Sequence, residues 1–144
     1  MADHVLIPVD GSEQATAALE FAFETYPDAN FSAINVLDPA DFYAATGIEG
    51  GGMGGTEQLR KSQEDRGKRV LEDANTTAAD SGVDLETEQL IGGVSRSIVS
   101  FAEENDVDHI VIGSHGRTGA SRILLGSVAE TVARRSPVPV TIVR

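Results

Sequence analysis

Two groups of residues have types and spacing that suit chemistry. The first is Gly113-Ser114-His115-Gly116, followed after nine residues by Gly126-Ser127. Two glycines close together let a backbone turn sharply and approach a ligand without Cβ obstruction. A third, just before a helix, brings unpaired N–H groups and the positive end of the helix dipole to the same place. That combination suits a polyphosphate, and Arg117 and Arg122 between the bends can add charge to it. The second group is Pro8-Val9-Asp10-Gly11-Ser12, where an apolar run stops at an acid and a glycine.

Each feature also has a reading that needs no ligand. A glycine after a strand is commonly just a turn. Ser127 with Glu130, and Asp10 with Glu13, have the spacing of helix capping boxes. No G-x-x-x-x-G-K-[ST] occurs, so there is no P-loop lysine, and no G-x-G-x-x-G follows the first apolar run. Catalytic patterns are weak. His4 and His109 fall at strand starts and read as structural, and His115 reads as a ligand contact or as a solvated loop residue. Ser114 and His115 are neighbours, a spacing not expected to pair nucleophile with base, and G-x-S-x-G is absent. No paired histidine spacing suggests a metal held by side chains. Neither a catalytic residue nor a metal ligand is assigned.

The elements that must position these residues alternate in type. His4–Val9 is a short apolar run, as a strand buried on both faces would be. Ala15, Ala18, Leu19, Ala22 and Phe23 recur at helical spacing until Pro27 and Asp28. Further strands are expected at Phe31–Leu37, Leu85–Ile91, His109–Ile112 and Pro139–Val143. Helices are expected from about Glu57 to Ala79, with Val70, Leu71, Ala74 and Ala78 inward and Gly82 as the stop. Two more run from about Ser95 to Glu104 and around Val128–Ala133. The stretch from Pro39 to Thr56, with its glycine run 50–55, has no period and reads as a flexible excursion. Strict alternation implies an α/β fold, one doubly wound and mostly parallel five-stranded sheet with helices on both faces. There is no internal repeat, so residues 1–144 read as one domain. In such a sheet, ligands bind beyond the carboxyl ends of the strands, where the strand order reverses.

Composition narrows the function. Asp and Glu number 23 against 11 Lys and Arg, for a net charge of -12, and hydrophobic residues make up 40% of the 144. So negative a surface repels nucleic acid and anionic membranes. No apolar stretch reaches the roughly 18 residues of a membrane span, the N-terminus does not read as a secretory signal, and cysteine is absent. A cytoplasmic protein is expected.

With these motifs in order, the sequence resembles the universal stress protein family. The carriers are Gly113-Ser114-His115-Gly116, the nine-residue gap and Gly126-Ser127, which fit that family's nucleotide-binding pattern, together with Ile7-Pro8-Val9-Asp10-Gly11-Ser12, Ile110-Val111-Ile112 and the closing strand from Pro139 to Val143. The resemblance implies strand order 3-2-1-4-5, with the site between strands one and four. It implies bound ATP, or AMP or ADP, with magnesium or manganese carried on the phosphates. Pro8, Val9 and Asp10 would line the adenine and ribose region, Val36 would pack on the adenine, and Ile112 and Gly113 would flank the ribose. Gly116, Gly126, Ser127 and Val128 would receive the phosphates, with Ser114, His115 and Arg117 as neighbours. It also implies a homodimer through the last strand, 139–143, against which Pro137 and Pro139 stand as residues that blunt an edge.

Three functions fit this reading. The chain is a nucleotide-binding sensor or stress-response regulator, a slow ATPase or autophosphorylating enzyme, or a dimerising module with no nucleotide. The first is preferred, because no general base or P-loop lysine is evident. An acidic surface with only two lysines, Lys61 and Lys68, also suits a high-salt cytoplasm, where screening removes self-repulsion. On that account the melting temperature rises from dilute to molar KCl; equal values would mark an ordinary acidic protein.

Overall fold

The structure, a computed structural model, describes residues 3–40, 53–115 and 125–144. Its elements run β1 (His4–Pro8), α1 (Glu13–Thr25), β2 (Asn30–Leu37), α2 (Met53–Asp80), β3 (Leu85–Ile91), α3 (Val94–Glu104), β4 (His109–Gly113), α4 (Ser127–Arg135) and β5 (Val140–Val143). The sheet order is β3-β2-β1-β4-β5, and every pairing is parallel. The expected fold class and strand order are both present.

Side-chain alternation sorts the helices onto two faces. Val5, Ile7, Phe31, Ala33 and Val111 point one way and pack with α1 and α2, through Leu19, Phe23, Leu71 and Ala74. Leu6, Ile34, Ile110 and Ile112 point the other way and pack with α3 and α4, through Ile98, Phe101, Ala129 and Val132. The central strand has both faces covered, so Val5, Leu6 and Ile7 are all fully buried, which is why β1 reads as a continuous apolar run rather than an alternating one.

Element ends follow local chemistry. Gly82 has φ +70°. Its amide donates to the Ala79 carbonyl, and that of Val83 donates to Ala78, the two bonds that close a helix through a left-handed glycine. α2 begins at Met53 rather than near Glu57, so Met53, Gly54 and Gly55 are helical and the aperiodic stretch is shorter than expected. Glycine's low helix propensity argued against this, but propensity is a weak prior beside continuation of a long helix. The rest of the glycine-rich stretch lies outside the described residues.

Both strand-start histidines are structural. His4 lies between the Ser32 hydroxyl, 2.7 Å from Nε2, and the Asn105 carbonyl, 3.0 Å from Nδ1. His109 Nε2 is 2.7 Å from Thr141 Oγ1 and 3.4 Å from the Tyr26 hydroxyl. Burial lowers the pKa of His109, and the Asp108 charge opposes this only in part. The folded state therefore favours the neutral ring. As pH falls through the unshifted value of 6.5, the unfolded chain takes up a proton that the folded chain resists, and stability is lost. Thermal melts between pH 7.5 and 5.5 should show this decline, and His109→Gln should flatten it.

Candidate functional site

The carboxyl ends of β1 and β4 lie side by side where the strand order reverses, the place at which doubly wound sheets open a crevice between the departing turns. On the β1 side the ladder extends one residue past the strand, with the Val9 amide donating to the Ile34 carbonyl at 2.8 Å. The chain then reverses through Gly11 at φ +86°, a conformation that favours glycine. Asp10 Oδ1 accepts from the Ser12 amide at 2.9 Å, and Ser12 Oγ accepts from the Ala15 amide at 3.1 Å. Ser12 is thus the N-cap of α1, not Asp10. The ligand-free alternative of an Asp10–Glu13 capping box is not the cap used, because Ser12 holds the N-cap and Asp10 braces the turn before it.

On the β4 side, Ser114 is the junction. Its amide donates to Val143 of β5 at 2.7 Å, and its carbonyl accepts from the Gly126 amide at 2.7 Å. The two glycine bends therefore touch directly. A Cβ on Gly126 would sit 2.7 Å from the Ser114 carbonyl oxygen, and one on Gly113 would sit 2.8 Å from the Gln14 main chain and Cβ. Both glycines are needed for close approach, Gly126 between the bends and Gly113 against the first turn of α1.

Gly126 is the N-cap of α4 and Ser127 its first helical residue, with no side chain among the described residues capping the end. The expected Ser127–Glu130 capping box is absent, and Glu130 instead pairs with Arg134 at 2.7 Å. The Gly126 amide is taken by Ser114 and that of Glu130 by the Gly126 carbonyl, so the donors left at this end are the first-turn amides of Ser127, Val128 and Ala129. Ser127 is exposed and Val128 half-buried.

Ser114 Oγ lies 3.1 Å from His115 Nδ1, so these neighbours do pair, contrary to the expectation from their spacing. The local turn folds the ring back onto the hydroxyl. Ser114 is only 3% exposed. His115 Nε2 is buried and has no hydrogen-bond partner among the described residues.

The other expected residues distribute as follows. Pro8, Val9 and Asp10 form the β1 edge of the crevice. Val36, near the end of β2, packs half-buried on the α3–α4 side, near Ile112 and Val128 in the same cluster. Ile112 has its side chain in that core, so only its main chain is available to a ligand. Gly116, Arg117 and Arg122 lie outside the described residues. Among the described residues, no group of three or more His, Cys, Asp or Glu could hold a metal ion, and no helix is long and apolar enough to cross a membrane. A cleft of about 80 Å³ opens between α1 and α2, on the opposite face from Val36 and Val128, and reaches the β1 turn through Val9 and Gly11, with Thr16, Val70, Asp73 and Thr77 on its helical walls. Sequence reasoning passed over Asn35, a buried amide that donates to the Val9 carbonyl; its signal was a polar residue at an inward position of an otherwise apolar strand.

The sequence profile of the Universal stress protein family matches residues 1–144. The chain belongs to the universal stress protein family. Universal stress protein MJ0531 of Methanocaldococcus jannaschii is 35% identical over 142 residues, covering 97% of this chain and 81% of that protein. The solved structure of MJ0577, from the same archaeon, aligns with a TM-score of 0.83 at 30% identity, covering 98% of this chain and 94% of that one. A universal stress protein solved in complex with cAMP aligns with a TM-score of 0.68 at 27% identity, covering 99% and 97%. In this universal stress protein, the contact of Gly113 with Gln14 makes a definite prediction. Gly113→Ala must push the first turn of α1 off β4, and overpacking of that kind costs about 1–3 kcal/mol. Urea melts that differ by less than about 0.5 kcal/mol would show the contact to be loose.

Proposed function

We propose that this chain binds an adenine nucleotide, ATP or its AMP and ADP relatives, in the crevice beyond β1 and β4, and serves as a cytoplasmic stress-response regulator rather than a fast enzyme. The observation that carries the reading is the bond from the Gly126 amide to the Ser114 carbonyl. It sets the uncapped end of α4 against the glycine bend after β4, where amides and the helix dipole attract an anion. The universal stress protein solved with cAMP supplies the ligand class. In this reading the base packs near Val36, and the Asp10 carboxylate accepts hydrogen bonds from ribose hydroxyls. The amides of Ser127 and Val128 then meet the phosphates, together with the segment carrying Gly116 and Arg117. Magnesium or manganese rides on the phosphates.

The same reading makes the chain a single domain over 1–144 that pairs with a second copy through β5. The Pro139 and Val143 carbonyls face β4, so those of Val140 and Ile142 face outward, since successive residues alternate sides along a strand. Both prolines precede Val140, so the outward-facing edge keeps its amides and is not blunted within the strand.

Calorimetry with ATP, ADP, AMP and cAMP in magnesium buffer tests the site. The wild type should bind stoichiometrically. Asp10→Ala should weaken binding by about tenfold or more, as loss of a charged hydrogen bond does, and Gly126→Val should abolish it by parting the bends. Absence of heat with all four nucleotides in the wild type would sink the proposal. Sedimentation of Ile142→Pro, which strips one outward amide, should give a monomer where the wild type is a dimer.

A further inference from the structure

Asn35 stands in β2 between Ile34 and Val36 and is 7% exposed. Its side chain lies on the α1–α2 side of the sheet, as the alternation from Ala33 requires. Nδ2 donates to the Val9 carbonyl at 3.0 Å, while the Val9 amide donates to the Ile34 carbonyl. Both main-chain groups of Val9 are thus tied to β2. The amide orientation is forced, because a flipped Asn35 would set oxygen against oxygen. Oδ1, on the other end, is buried without a partner among the described residues. An unpaired buried acceptor destabilises a fold, and an apolar side chain would avoid that cost; what the amide provides in return is its grip on Val9.

Helix α2 closes over the same group. Asn35 pairs in register with Gln89 of β3, and Gln89 Nε2 donates to the Glu64 carbonyl of α2 at 3.0 Å. A Cβ on Gly67 would overlap both Asn35 Oδ1 and Gln89 Nε2. The helix approaches this closely because residue 67 has no side chain; a Cβ there would force the Asn35 and Gln89 amides to shift.

We propose that Asn35 is a positioning residue for the crevice, holding the Val9 carbonyl against β2 so that the Val9–Asp10 peptide presents Asp10 on the β4 side. A trans peptide is planar, with its C=O and N–H pointing opposite ways. With the Val9 carbonyl fixed toward β2, the Asp10 amide is directed away from it, to the side where β4 lies. The inference rests on the nucleotide reading above and adds the part that aims its acidic residue. Through Gly67, the seating of α2 sets how firmly that aim is held.

The test uses Asn35→Leu, which removes the donor at similar volume, and Gly67→Ala, which crowds the amide from a position outside the crevice. In labelled, nucleotide-free protein, the Val9 carbonyl-carbon and Asp10 amide resonances should move in both variants. ATP with magnesium should bind about fivefold or more weakly, measured where circular dichroism shows the variants fully folded. If Asn35→Leu fails to fold, Gly67→Ala carries the test. Unmoved Val9 and Asp10 resonances, or ATP affinity within about twofold of wild type despite a lowered melting temperature, would overturn the proposal and leave Asn35 a packing residue. Should the wild type bind none of the adenine nucleotides, the nucleotide reading falls, and the two resonances alone then decide whether Asn35 orients the peptide.

Discussion

A single main-chain hydrogen bond, from the Gly126 amide to the Ser114 carbonyl, organises the working end of this molecule. It joins the exit of β4 to the entrance of α4 at a separation that only a glycine at 126 permits. Without it, the bend after β4 and the start of the last helix would be two unrelated turns. With it, the positive end of α4 faces the point where the sheet reverses direction. The bond also uses up one of the amides that such an end offers, so what α4 presents begins at Ser127.

The rest of the fold makes that contact possible. Two helices on each face bury Val5, Leu6 and Ile7 of β1 fully, so the strand cannot drift and its turn emerges at a fixed height. Ser12 caps α1 and Asp10 braces the reversal ahead of it. Gly113 lets α1 sit directly on β4. The two sides of the crevice are therefore held by close backbone contacts in which glycines stand where any side chain would intrude.

Much of this was legible in the sequence. Apolar periodicity gave all five strands and the inward faces of the helices, because burial on two faces and burial on one leave different patterns. The glycine spacing singled out two bends, and the Gly126 amide and the Ser114 carbonyl join them. What could not be read was how each residue is used. Asp10 and Ser12 are both good capping residues, and only the path of the chain assigns the cap to Ser12. Ser127 and Glu130 have the spacing of a capping box, yet Gly126 occupies the cap and Glu130 turns to Arg134. The start of α2 inside a glycine run defied propensity. The role of Asn35 depends on a contact with Val9, 26 residues away, which no local pattern encodes.

Ser114 has a consequence for how this chain can vary. Its amide is committed to the outermost strand through Val143 and its carbonyl to the last helix through Gly126, while its side chain is sealed from solvent. A residue held at three points behaves like a rivet. Bending the rim of the sheet at β5 cannot be absorbed locally, and the strain passes through one peptide unit into the seat of α4. The margin of the molecule and its crevice are thus mechanically a single piece.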